Sequence, residues 1–184
     1  NDEQRAEIQL RTGRVLYQQG QYLLAANEFR RAAASSARLR ENATYNSALA
    51  ALAQKNFDRF EVDYRELNSS FPRSLLRQDL SMEKGLAQAR NADPAAEETL
   101  QLFLRQFPSS PQRWEARLAL AELAYGHGDS AAAARHLKIA NESPANPEVK
   151  QQADYLAVFL AESQGAGDDS KAIQAALDFI RKYP

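Results

Sequence analysis

Histidines, cysteines and paired acidic residues are the side chains that would mark a catalytic or metal site in this chain. The sequence of 184 residues contains two histidines, His127 and His136, and no cysteine. Neither histidine has a His or Cys neighbour at the spacing of metal ligands, and we expect both to be ordinary surface or packing residues. The absence of cysteine excludes thiolate metal sites, thiol nucleophiles and disulfides.

The most conspicuous acidic pair is Asp168 and Asp169, in the stretch GAGDDS. Two adjacent carboxylates suit acid–base chemistry, but a turn that precedes a helical pattern favours N-capping instead. The motifs of zinc proteases, phosphate-binding loops and dinucleotide-binding folds are all missing from the sequence. We therefore expect no catalysis, no bound metal and no cofactor.

Composition restricts the fold and the partners. Gly and Pro number only seven each, and the abundance of Ala, Leu, Gln, Arg and Glu favours helices. The net charge of −1 provides no strong field for gripping nucleic acid or an anionic membrane. No apolar run approaches the roughly 20 residues that span a bilayer. The sequence begins without Met, and we expect it to be a fragment of a longer protein.

Two kinds of proline-containing pair in the sequence predict where helices end and begin. Three units end helices, because proline cannot continue a helix and the aromatic ring can pack back on it: Phe71-Pro72, Phe107-Pro108 and Tyr183-Pro184. Three other pairs place a good N-cap before a proline at the first helical position: Asp93-Pro94, Ser110-Pro111 and Asn146-Pro147. The predicted helices cover residues 4–19, 22–35, 40–54, 57–70, 74–90, 94–106, 111–127, 130–141, 148–164 and 169–182.

Residues 12–33, TGRVLYQQGQYLLAANEFRRAA, combine small and aromatic residues in a regular order. The first helix carries Gly13, Leu16 and Tyr17, the turn is Gly20-Gln21-Tyr22, and the second helix carries Ala25, Phe29 and Ala32. The residue that opens the second helix recurs at Ala25, Phe60, Ala96, Ala133 and Ala172, in steps of 35, 36, 37 and 39 residues. This pattern resembles the tetratricopeptide repeat (TPR), whose period is about 34 residues.

The resemblance implies an all-α solenoid of about five TPR repeats, wound as a right-handed superhelix and forming a single array over residues 1–184. The expected repeats are 6–40, 41–75, 76–112, 113–147 and 148–184. The first helix of each repeat would line a concave groove. Inner-groove positions of the family correspond here to five adaptable contact residues, which we expect to bind a protein or peptide segment: Arg11, Arg14, Tyr17, Tyr45 and Asn46.

The arginine pair favours an acidic or carboxylate-bearing ligand. The groove positions expected in the third repeat are Gln78 and Met82, where a chaperone-binding subset of the family carries basic residues. The carboxylate clamp of that subset is therefore not expected.

Repeats that end in FPRS, FPSSP and KYP resemble those of bacterial cell-envelope TPR proteins, such as the BamD lipoprotein of outer-membrane β-barrel assembly and the periplasmic coordinator associated with Tol-Pal. This resemblance implies a noncatalytic protein-interaction scaffold of the periplasm or cell envelope. Two alternatives remain at this stage: a cytoplasmic adaptor or regulator with the same groove, and an accessory domain of a larger envelope enzyme.

Overall fold

The computed structural model describes residues 1–142, 146–164 and 169–184, and these residues form ten α-helices and no β-strand. The predicted all-α class is therefore confirmed. Each predicted helix is present, and the bounds in chain order are α1 Asp2–Gln18, α2 Tyr22–Ser35, α3 Arg40–Ala53, α4 Phe57–Ser70, α5 Leu76–Arg90, α6 Ala96–Gln106, α7 Arg113–Gly126, α8 Ser130–Ala140, α9 Pro147–Gln164 and α10 Ser170–Lys182.

The chain divides into two compact units, Asn1–Ala87 and Gln88–Pro184. In the first unit α1 packs on α2, α2 on α3 and α3 on α4. In the second unit each helix from α6 to α10 packs on the next one along the chain. This packing of successive helices is consistent with a helical repeat.

The turn between the two helices of a predicted pair has the same geometry in four places. One residue in each turn has a left-handed backbone, with φ of 74° at Gly20, 58° at Lys55, 52° at Ala92 and 78° at Gly128. The next residue donates its N–H to the carbonyl five positions earlier, as from Gln21 to Leu16 (2.9 Å). The equivalent bonds start at Asn56, Asp93 and Asp129. These bonds satisfy the last carbonyls of the preceding helix.

The aromatic–proline units also share one conformation. Phe71, Phe107 and Tyr183 cap α4, α6 and α10 with φ of −132°, −128° and −126°, respectively. The rings pack back on the helices that they end: Phe107 lies 5.6 Å from the Phe103 ring, Tyr183 lies 5.0 Å from the Phe179 ring, and Phe71 packs against the core cluster that includes Leu67. The predicted role of these units as helix terminators is confirmed.

Close approach of α1 and α2 depends on Gly13. A Cβ atom at that position would lie 2.6 Å from two ring carbons of Phe29, which is 1% exposed. Ala25 and Ala32, on either side of Phe29 along α2, are fully buried. The predicted core positions of the first helix pair are therefore correct.

Four of the predicted helix starts are wrong by two residues: α1 begins two residues earlier than expected, and α5, α6 and α7 begin two residues later. Asn146 caps α9 as expected and accepts the N–H groups of Glu148 and Val149. Asp93 and Ser110 instead accept the N–H two residues ahead of them, and a tight turn with an i to i+3 hydrogen bond follows before α6 and α7 begin. The proline therefore occupies this turn and not the first α-helical position.

Candidate functional site

Tyr17 on α1 and Tyr45 on α3 form the centre of the predicted groove face in the first unit. Both side chains are half-buried, and each ring packs against the apolar core beneath it. Tyr17 also meets Tyr22 edge to face, with the ring centroids 5.1 Å apart. The two tyrosines are close enough for Tyr17 to contribute to the electrostatic environment of Tyr45. Both predicted aromatic anchors thus pack on the core of the first unit.

Two acidic residues that the sequence did not indicate act electrostatically on Tyr45. Burial raises the pKa of Tyr45, and the negative charges of Asp79 and Glu83 raise it further. Both carboxylates belong to α5, one helical turn apart. The expected groove positions on this helix were Gln78 and Met82, but Met82 is fully buried in the core and cannot line a groove. Asp79 and Glu83 are therefore the α5 residues whose charges act on Tyr45.

The remaining predicted residues are placed differently. Arg11 and Arg14 are exposed on α1, and neither forms an ion pair within the described residues. Asn46 is half-buried and donates its side-chain N–H to the carbonyl of Asn42 (2.6 Å). The amide of Asn46 is thus partly engaged by its own helix, whereas neither arginine has an ion-pair partner in the part of the chain that the structure describes.

The residues that would supply metal or acid–base chemistry are dispersed. His127 is the exposed C-cap of α7, and His136 on α8 accepts a hydrogen bond at Nδ1 from Arg117 (3.2 Å). Asp169 precedes α10 and makes no side-chain capping bond, and Asp168 lies outside the described residues. Among the residues described, no three His, Cys, Asp or Glu side chains are grouped so that they could hold a metal ion.

No protein-family model matches the sequence, and no curated protein matches it at a significant level. In the part of the chain that the structure describes, no helix combines the length and apolarity needed to cross a bilayer.

Proposed function

We propose that this chain is a noncatalytic TPR-type scaffold that binds a protein segment on the face formed by α1, α3 and α5 in the first unit. The observation that carries the proposal is that Tyr17 and Tyr45 are both half-buried on the core, and that the charges of Asp79 and Glu83 act on Tyr45. Aromatic side chains that are fixed by packing lose little entropy on binding, and tyrosine is enriched among the residues that dominate binding energy.

The charges on this face favour a segment with groups of both signs. Arg11 and Arg14 on α1 suit an acidic group, whereas Asp79 and Glu83 on α5 suit a basic group. Exposed pairs of this kind contribute only about 0.2–1 kcal/mol each. The charges would therefore set the direction of the bound segment, and the tyrosines would supply most of its affinity.

The cellular setting that we propose is the bacterial cell envelope, where the scaffold would serve assembly or maintenance. The endings of the repeats, as in FPRS at residues 71–74, support this setting through their resemblance to envelope TPR proteins. A cytoplasmic adaptor and an accessory domain of a larger envelope enzyme remain the alternatives, because the same binding face would serve either one.

The proposal is tested by selecting peptides from a random library on the purified protein and measuring their affinity by fluorescence anisotropy. We expect Arg11→Glu/Arg14→Glu to weaken peptides with an acidic end, and Asp79→Asn/Glu83→Gln to weaken peptides with a basic end. Tyr17→Ala/Tyr45→Ala should weaken both classes more strongly, with circular dichroism to verify that the variant is folded.

The matched control is Arg31→Glu/Arg65→Glu, which makes the same change of charge at exposed positions on α2 and α4. The control should leave peptide affinity within a factor of two. The binding face lies elsewhere if the groove variants retain full affinity, or if the control weakens binding as much as they do.

A further inference from the structure

A separate cleft lies among α2, α3 and α4 in the first unit, and arginines from all three helices line it. Arg30 belongs to α2, Arg40 to α3 and Arg59 to α4. The cleft has a volume of about 420 Å³ and is open to solvent on one side. Like charges that lie close together repel, so three arginines at one small cleft are stable there only if negative groups lie near them.

One carboxylate in the cleft, Asp63, is already committed to two internal partners. The side chain of Asp63 is 6% exposed. Its Oδ2 accepts from the Ser47 hydroxyl (2.6 Å), and its Oδ1 accepts from the Arg59 guanidinium (2.7 Å). A buried carboxylate needs such partners in order to remain charged. Asp63 thus neutralises Arg59 and supports the local fold.

The other two arginines have no such partner within the described residues. Arg30 bonds to the side-chain amide of Asn27, and Arg40 makes one long bond (3.4 Å) to the carbonyl of Ala33. Burial lowers the pKa of Arg30, and the positive charge of Arg59 lowers it further, although Asp63 acts in the opposite direction. Burial and the neighbouring positive charge of Arg59 therefore both disfavour the charged form of Arg30.

Arg59 also has a buried hydrogen-bond donor that no described residue engages. Its Nε atom is buried and has no hydrogen-bond partner among the residues described. A buried N–H without an acceptor is costly and uncommon in a folded protein. Glu66, which also lines the cleft, is an exposed residue and accepts a hydrogen bond from Ser70. With three arginines against two carboxylates, the cleft keeps one net positive charge.

We propose that this cleft binds a phosphate group, held by Arg30 and Arg40 with Arg59 behind them. A phosphate monoester carries about −1.5 to −2 charge at neutral pH and presents three strong acceptor oxygens. It can therefore engage guanidinium groups from more than one helix at once, whereas one arginine fork already satisfies both oxygens of a carboxylate. The hydroxyls of Thr44 and Ser47 also line the cleft.

The phosphate site is distinct from the tyrosine face, although both use α3. Thr44 and Ser47 lie one helical turn apart and face the cleft. Tyr45 follows Thr44 by 100° around the helix and lies 160° from Ser47, as the helical repeat of about 3.6 residues requires. Failure of the peptide-binding proposal would therefore leave the phosphate proposal standing, and the reverse is also true.

The test uses the purified chain, with inorganic phosphate and glycerol 3-phosphate as separate probes and sodium chloride at matched ionic strength as the reference. Nitrogen-15 NMR should show both phosphate probes shifting the Arg59 Nε–H signal and the amides of Ala33 and Thr44. Tighter binding of glycerol 3-phosphate would identify an organic phosphate as the ligand, and equal binding would identify free phosphate. Acetate binding as tightly as phosphate would overturn the assignment to phosphate.

Arg30→Gln and Arg40→Gln should each weaken phosphate binding about tenfold, as expected for loss of a charge-assisted hydrogen bond. Arg31→Gln is the matched control, because Arg31 is exposed on the same helix and pairs with Glu28. Phosphate should raise the melting temperature of the wild type and of the control, but hardly that of Arg30→Gln.

The measurement in the absence of phosphate separates ligand binding from a purely structural role. Arg30→Gln removes a positive charge beside Arg59, and the free variant should melt no lower than the wild type. A free variant that melts well below the wild type, or phosphate shifts that persist unchanged in both variants, would refute the proposal.

Discussion

Because Gly13 lies against the ring of Phe29, we expect Gly13→Ala to destabilise the wild-type protein but to stabilise a variant that lacks this ring. Gly13→Ala places a Cβ atom 2.6 Å from two carbons of the Phe29 ring, about 1 Å closer than ordinary contact. The ring is 1% exposed and cannot swing into solvent. Overpacking of this kind costs about 1–3 kcal/mol, whereas replacing glycine by alanine within a helix gains about 0.5–1 kcal/mol. The net expectation is a loss of about 1 kcal/mol.

Removal of the ring should reverse that sign. Phe29→Ala by itself costs about 3–5 kcal/mol, as truncation of a buried aromatic residue does. In that background Gly13→Ala meets no ring and should stabilise the protein by about 0.5–1 kcal/mol. The coupling between the two sites is then about 2 kcal/mol in a double-mutant cycle. Urea unfolding followed by circular dichroism measures each corner of the cycle, and Phe29→Val provides a milder truncation if the alanine variant is too unstable.

Gly126→Ala is the matched control for this cycle. Gly126 is the last residue of α7, and no atom of the described residues would lie within 4 Å of a Cβ atom at that position. Its replacement should stabilise the protein by up to about 1 kcal/mol. If Gly13→Ala has the same effect with and without the Phe29 ring, the ring does not rest on Gly13 and the packing of α1 against α2 is different.

Three further predictions follow from single features. Gly128 and Ala92 both have a left-handed backbone, which glycine adopts more easily than alanine. Gly128→Ala should therefore destabilise the protein by about 1 kcal/mol, and Ala92→Gly should stabilise it by about 0.5–1 kcal/mol. Changes of the same sign in urea unfolding would contradict this explanation. Asp63→Ala should lower the free energy of unfolding in urea by about 2 kcal/mol. Breaking a fully buried ion pair costs roughly 3–5 kcal/mol, and the cost is smaller here because the Arg59 side chain is 34% exposed. A loss near zero would mean that Asp63 is not a buried ion-pair partner. Burial, helped by Arg117 and Arg135 and opposed by Glu97, lowers the pKa of His136 below its ordinary 6.5. The unfolded chain therefore takes up a proton first, and stability should fall as the pH decreases through 6.5. His136→Gln should lose less stability than the wild type between pH 7.5 and 5.5, and an identical loss would refute the assignment.

The helices were predictable because their ends carry local signals. Gly20 and Gly128 mark turns that need a left-handed residue, and the aromatic–proline units mark three of the helix ends. Lys55 and Ala92 occupy the same left-handed position without being glycine. Their conformation follows from the packing of the helices on each side, and composition alone could not reveal it.

The register of α5 could not be read from the sequence for a different reason. Leu80, Ser81 and Met82 are three consecutive buried residues, each about 100° further around the helix. A helix that is buried over so wide an arc has no single polar stripe to identify its exposed side. The two carboxylates that act on Tyr45 were missed for this reason.

The arginine cleft has no sequence signature. Arg30, Arg40 and Arg59 come from three helices at unequal spacings, so neither helical periodicity nor a short motif connects them. Only the packing of α2, α3 and α4 brings them together. Each arginine taken alone resembles an ordinary solvated side chain, and the unused Nε–H of Arg59 becomes visible only when burial is known.

Helix α3 separates the two proposed sites, and its packing decides whether they influence each other. Six of its seven buried residues are small: Ala43, Thr44, Ser47, Ala48, Ala50 and Ala51. Small side chains allow the neighbouring helices to approach closely, and a closely packed helix cannot rotate without clashes. Ser47 is further fixed by its hydrogen bond to Asp63.

Binding at the two sites should therefore be nearly independent. We expect saturating phosphate to change the affinity of a groove peptide by less than a factor of two at constant ionic strength. Ser47→Ala removes the hydrogen bond to Asp63. If this bond keeps the two sites independent, phosphate should change the peptide affinity more in the variant than in the wild type. A change greater than fivefold in the wild type would correspond to a coupling free energy of about 1 kcal/mol or more. That result would mean that α3 has two arrangements, each favoured by a different ligand, and that its small residues permit movement where we expect rigid packing.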